Sequence, residues 1–152
     1  MVHALEEIQH LLKPDGCLID IHPVPKSSLI NVYQGSRALF AESYPPSDGE
    51  DVRQAEAALA QVVQRRLFVI ERSGEFDLTT FASSVAELRE FFAKIDAYDD
   101  GPKDDALEAQ RTAQYARVEE IMRAAGDGAE VAFHERGRIT RMNPNVRKEE
   151  LI

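Results

Sequence analysis

Asp20 and His22 are the pair of residues in this sequence best suited to chemistry. They lie at the end of the apolar run Cys17-Leu18-Ile19-Asp20-Ile21, which predicts a short, largely buried strand. Side chains two apart on a strand share a face. A carboxylate beside an imidazole orients the ring, strengthens its hold on a proton and makes a proton-transfer pair. At the carboxyl end of a strand, the pair sits where open α/β sheets place ligands. One expectation is therefore a small-molecule site or an enzyme cleft near Asp20 and His22. The plainer reading is that Asp20 anchors a loop while His22 is a polar residue ending the strand before Pro23.

The other reactive types are placed less well. His3, His10, His22 and His134 lack the close spacing of a helical metal site, and no metal is expected. Cys17 has no basic neighbour to activate its thiol. Ser83 and Ser84 with Glu87 have the spacing of a helix cap, and no Gly-x-Ser-x-Gly surrounds them. Arg136, Arg138 and Arg141, with Arg147 and Lys148, form a basic cluster that either meets a partner's carboxylate or phosphate or is a solvated strand face. Asp96, Asp99, Asp100, Asp104 and Asp105 lack calcium-loop spacing and suit the N-terminus of a helix.

The whole chain narrows the classes further. Its 152 residues fit one domain, read as 1–144 with a flexible tail over 145–152. A formal charge of −9 opposes binding to a polyphosphate backbone, so no nucleic acid is expected. The longest aliphatic or aromatic run, Leu67-Phe68-Val69-Ile70, is far short of the ~20 residues that span a membrane, and Met1-Val2-His3-Ala4-Leu5-Glu6-Glu7 is acidic where a secretion signal is basic. The single Cys17 forms no intrachain disulfide and suits a reducing compartment, hence a cytoplasmic protein.

The elements that must position these residues are legible in outline. Leu5, Ile8, Leu11 and Leu12 mark one face of an N-terminal helix that Lys13-Pro14-Asp15-Gly16 ends. Leu29–Tyr33 and Arg37–Ala41 flank Gln34-Gly35-Ser36 as a hairpin. Ser47 with Glu50 has capping-box spacing, ahead of a helix with Val52, Ala55, Leu59, Val62 and Val63 as its stripe. Leu67–Ile70 is a strand, and Glu71–Glu75 is either a turn or its continuation. A helix with Val85, Leu88, Phe91, Phe92 and Ile95 on one side follows, then a long one over Asp105–Ala125. Gly126-Asp127-Gly128 stops it, and a last strand runs from about Val131 to Met142 with a bend at Gly137. This is a mixed α/β chain with a mixed sheet and helices.

The stretch Ala4-Leu5-Glu6-Glu7-Ile8-Gln9-His10-Leu11-Leu12-Lys13-Pro14-Asp15-Gly16-Cys17-Leu18-Ile19-Asp20-Ile21 resembles the late motif of class I S-adenosylmethionine-dependent methyltransferases. In that family a helix ends in Leu-Lys-Pro-Gly-Gly and leads into the fifth strand of a seven-stranded sheet; here Asp15 replaces the first glycine. Arg65–Arg72, Phe76–Leu78, Ser83–Leu88 and His134–Arg141 resemble the family's C-terminal strands and helices. The resemblance implies the C-terminal portion of a Rossmann-like methyltransferase fold, without its N-terminal cofactor-binding half. The eight glycines are scattered, and no strand–glycine-loop–helix unit is present to hold an adenosyl cofactor. The expectation is a methyltransferase-like module unable to bind S-adenosylmethionine or transfer a methyl group alone. S-adenosylmethionine enters only if a missing N-terminal half is supplied. In the parent fold the strand at Cys17–Ile21 is interior, so here one of its edges needs cover, either from the N-terminal helix and hairpin or from a second copy across a two-fold axis. A homodimer is the preferred expectation.

Overall fold

The computed structural model describes residues 1–24, 26, 28–45, 50–96 and 104–145. The elements in chain order are α1 (Val2–Leu11), β1 (Leu18–Pro23), β2 (Leu29–Gln34), β3 (Arg37–Ser43), α2 (Glu50–Gln64), β4 (Phe68–Ala82), α3 (Val85–Asp96), α4 (Asp105–Ala125) and β5 (Ala129–Pro144). The fold is mixed α/β, but the sheet is antiparallel rather than the mixed sheet expected, because neighbouring strands among the described residues pair in opposite directions. Its hydrogen-bonded order is β1-β5-β2-β3, with β4 also pairing with β5. The chain divides into two compact units. One comprises Met1–Pro25, Asp48–Phe76 and Arg136–Ile152, the other Lys26–Ser47 and Asp77–Glu135.

In the first unit β1 lies antiparallel to β5, with Leu18 opposite Met142, Asp20 opposite Thr140 and His22 opposite Arg138. β4 is antiparallel to β5 as well. Asn145 N–H donates to the Leu67 carbonyl, the Ser73 hydroxyl meets that of Thr140, and Phe76 lies over Gly137, so positions fall along β5 as they rise along β4. β1 and β4 therefore run parallel to each other on either side of β5, and α2 is on the path between them. Strand alternation puts Leu18 and Met142 on the face covered by α1 and α2. There Leu5, Ala58, Val62, Phe68 and Met142 are buried, with Ile8, Leu12, Leu59 and Val63 packed against them. The opposite face leaves Ile19, Ile21 and Ile139 exposed. Gly137 is needed there: a Cβ would stand 2.5 Å from the Phe76 ring.

In the second unit β2 and β3 form the expected hairpin, with Gly35 at φ +58 in its turn. One face carries Ile30, Val32, Val131 and Phe133 against Val85 and Leu88 of α3 and Tyr115 and Val118 of α4. Tyr44 and Phe92 both meet the Phe133 ring edge-on, at 5.0 and 4.7 Å between centroids. The Tyr44 and Tyr115 hydroxyls bond at 2.8 Å, and burial pushes the Tyr115 phenol well above its usual range. Ser84 caps α3 by accepting from Glu87 N–H at 3.1 Å, while the Glu87 carboxylate accepts from Ser83 N–H at 2.7 Å. The Ser83 hydroxyl, which donates to the same carboxylate at 2.7 Å, together with the Ser83 N–H holds the Glu87 carboxyl below the usual range. Asp104 caps α4 by accepting from Ala106 and Leu107 N–H. Gly126, at φ +83, ends it as expected.

Several expectations need correction. Leu11 is 83% exposed, because the apolar stripe of α1 runs through Leu5, Ile8 and Leu12. Phe91 and Ile95 are also exposed, leaving Val85, Leu88 and Phe92 as the inward side of α3. Glu71–Glu75 is strand, since β4 is continuous. The partner strand supplies Thr140 to Ser73 and Arg138 to Glu75, so pairing overrides a polar, turn-like composition. The cap at Ser47, the aspartates at 99 and 100, and Arg147 and Lys148 lie outside the described residues.

These assignments predict different costs at two leucines. Leu88→Ala, in a fully buried position, should lower unfolding free energy by about 2–5 kcal/mol. Leu11→Ala should change it by less than about 0.5 kcal/mol. Chemical denaturation of both variants measures the difference.

Candidate functional site

The two-residue spacing of Asp20 and His22 becomes a direct bond in the first unit. His22 Nδ1 donates to Asp20 Oδ2 at 2.6 Å. Both side chains lie on the helix-covered face, and the His22 side chain is only 9% exposed. Donation from Nδ1 to the carboxylate fixes the tautomer of a neutral ring, leaving Nε2 as the acceptor. His22 Nε2 is buried and makes no hydrogen bond among the described residues. Glu56 Oε1 of α2 lies 3.7 Å from it.

A row of alternating charge extends from this point. Arg138, opposite His22 on β5, donates to Glu56 Oε1 at 2.6 Å and to Glu75 Oε1 at 3.2 Å. Arg136 lies 3.6 Å from Glu75. The row Asp20, His22, Glu56, Arg138, Glu75 thus draws on β1, α2, β5 and β4. The arginines read as a basic patch for a partner are held within the chain by its own glutamates, since Arg141 also pairs with Glu71, at 3.1 Å. Chemically, the row holds one imidazole in a fixed orientation and offers an unpartnered nitrogen as a proton acceptor, a use of histidine familiar from general-base sites.

The second unit holds a polar chain that spacing alone did not suggest. On the sheet face away from α3 and α4, Asn31 Nδ2 donates to the Tyr33 hydroxyl at 2.9 Å. That hydroxyl lies 3.2 Å from His134 Nε2, while the Thr79 hydroxyl lies 2.9 Å from His134 Nδ1. Phe81 stands beside Tyr33, with ring centroids 6.3 Å apart. The chain spans three strands, so only its Asn31–Tyr33 step has a sequence signal, the same two-residue period that marked Asp20 and His22. Both ring nitrogens of His134 are engaged, so this histidine is a structural link. Next to it, burial raises the Glu135 carboxyl above its usual range.

Cys17 is a partly buried free thiol. Among the described residues no group of three or more His, Cys, Asp or Glu side chains could hold a metal ion. No described helix is long and apolar enough to cross a membrane. A shallow hollow of about 390 Å³ in the second unit is lined by Ser83, Ser84, Arg123 and Gly126–Ala129, and includes neither Asp20 nor His22. Compared with protein families, with curated proteins and with solved structures, the chain matches none.

Two outcomes check the site. Asp20→Asn should release the tautomer preference of His22, read as a change in its ring ¹⁵N shifts at a pH where the ring is neutral; unchanged shifts contradict the assignment. Glu135→Gln should stabilise the protein at neutral pH. A raised carboxyl disfavours the ionised folded form above the unfolded-state pKa, so the gain should fade as the pH falls to the ordinary carboxylate range and both forms are protonated. Denaturation of the variant and parent at pH 7 and pH 4 tests the sign.

Proposed function

We propose that this chain is a methyltransferase-like C-terminal module that does not bind S-adenosylmethionine or transfer a methyl group by itself. One observation carries the reading. In the first unit, α1 ends at Lys13-Pro14-Asp15-Gly16 and feeds β1, α2 lies on the path to a parallel β4, and β5 closes between the two. That order fits the late helix-to-strand step and closing strand that the Leu12–Ile21 and His134–Arg141 segments resemble. It is also the arrangement expected of a C-terminal portion of a Rossmann-like sheet. The 152 residues contain no strand–glycine-loop–helix unit, which supports assigning donor binding to a separate half. Titration calorimetry with S-adenosylmethionine at tens of micromolar protein should give no binding heat. Saturable binding to this chain alone would sink the proposal.

A second reading is a small-molecule site, or an enzyme cleft, at Asp20 and His22. The buried, unpartnered His22 Nε2 favours it, because a polar atom out of water without a partner costs free energy that function often explains. Under this reading Asp20 orients the ring and His22 accepts a proton. ¹H–¹⁵N spectra collected against a library of small acids and alcohols should then show shifts centred on β1 and α2 that His22→Gln abolishes.

A further inference from the structure

We infer that Arg89, Arg111 and Gln114 of the second unit form a binding site for a single phosphate group, either the free ion or a small monoester. The inference rests on neither reading of function above, since it uses only side chains around Tyr44 and Tyr115.

Two aromatic rings carry the site. Tyr44 follows β3 and Tyr115 lies on α4, with hydroxyls 2.8 Å and ring centroids 5.9 Å apart. One guanidinium lies over each ring. Arg111 is 5.1 Å from the Tyr44 centroid, and Arg89 of α3 is 5.6 Å from that of Tyr115. A guanidinium whose face rests on a ring keeps its in-plane N–H groups for other partners. Arg89 is exposed and makes no hydrogen bond or ion pair among the described residues. Arg111 donates from Nη1 to Glu108 Oε1 at 3.0 Å. Its other edge, Nε with Nη2, makes no hydrogen bond among the described residues, and Nε is buried. That edge is a planar fork matched to two oxygens of one carboxylate or phosphate. A buried charged donor left unpaired is costly, so the fork calls for an oxyanion. Both guanidiniums also act on one phenol. Burial and the Tyr44 bond push the Tyr115 hydroxyl up, and Arg111 and Arg89 oppose them. Two positive charges thus converge on one spot of an acidic chain.

Gln114 selects among oxyanions. It is 1% exposed and three residues from Arg111, a spacing that makes neighbours on a helix. Its Nε2 donates to the Ser43 carbonyl at 2.9 Å. That bond fixes the amide and leaves Oε1 buried, with no hydrogen bond among the described residues. A carboxylate or a sulfate on the fork has no hydrogen to give this oxygen at neutral pH. A phosphate has one. Two of its oxygens accept from Arg111 Nε and Nη2, its O–H donates to Gln114 Oε1, and Arg89 adds the second positive charge. Glu42, which also accepts from Gln114, does not oppose this, because Arg117 Nη2 lies 2.9 Å from each of its carboxylate oxygens.

Inorganic phosphate titrated into the full chain at pH 7 and fixed ionic strength, followed in ¹H–¹⁵N spectra, should give saturable shifts. They should centre on the Arg111 Nε–H signal and on the backbone of residues 43–44 and 111–115. Sulfate should bind about tenfold more weakly, the difference of one hydrogen bond to a charged group. Glycerol phosphate in a parallel arm distinguishes the sources: tighter binding than inorganic phosphate assigns a monoester, weaker binding the free ion. Arg111→Lys keeps the charge but loses the fork, and should weaken phosphate by about tenfold or more with an unchanged far-ultraviolet circular dichroism spectrum. The comparison of phosphate with sulfate uses the parent chain and does not depend on that variant folding. A titration without saturable shifts overturns the inference and leaves water between Arg111 and Gln114. Shifts that sulfate or chloride reproduces at equal concentration, or that survive Arg111→Lys in full, overturn it as well.

Discussion

The alternation of side chains along β5 is the constraint on which the rest depends. This strand of 16 residues serves both compact units, and its side chains must satisfy each one separately. In the second unit Val131 and Phe133 enter a core closed by α3 and α4. In the first, Arg138, Thr140 and Met142 turn toward α1 and α2. A slip of one residue in its pairing with β1 would send Met142 to the uncovered face and remove Arg138 from Glu56 and Glu75. Core packing and the charged row therefore depend on the same register.

The charged row shows how a polar cluster is tolerated under helices. Each carboxylate in it meets a cation or an imidazole, and each arginine bridges two elements. Isolated pairs of this exposure contribute little, so the row's importance is geometric. It locks Arg138 and Glu56 around His22 and leaves one ring nitrogen with no hydrogen bond among the described residues. The Asn31–Tyr33–His134–Thr79 chain in the second unit differs in kind. It engages both nitrogens of its histidine and ties three strands together. Of the two histidines, His22 is the one with a ring nitrogen that makes no hydrogen bond among the described residues.

The exposed isoleucines mark the face of the first unit's sheet that lies opposite α1 and α2. Parallel strands flanking β5, with helices on one face only, form a sheet that is half covered. Antiparallel sheets commonly pack one face on the core and leave the other to solvent. Among the described residues, the face bearing Ile19, Ile21 and Ile139 stays exposed and β1 pairs with β5 alone.

Much of this was legible before the structure. Pro14 and Gly16 ended a helix, Gly35 turned a hairpin, Ser84 with Glu87 started α3, and Gly126 stopped α4, because each depends on local backbone chemistry. The Asp20–His22 bond was legible for the same reason, since a strand brings residues two apart onto one side. The continuous β4 was not legible, because Glu71–Glu75 owes its extended shape to a partner more than sixty residues away. Nor were Glu56 and Arg138, which reach His22 only when α2 and β5 pack on β1. The exposure of Leu11 and Phe91 was settled by which neighbours each helix found, not by the period of its apolar residues. The sequence by itself determined the helices, the hairpin, the ends set by local backbone chemistry and the core pair of the site. Tertiary structure decided the pairing order, the partners of the charged row and the uncovered face, because those depend on contacts between segments that carry no information about one another until they meet.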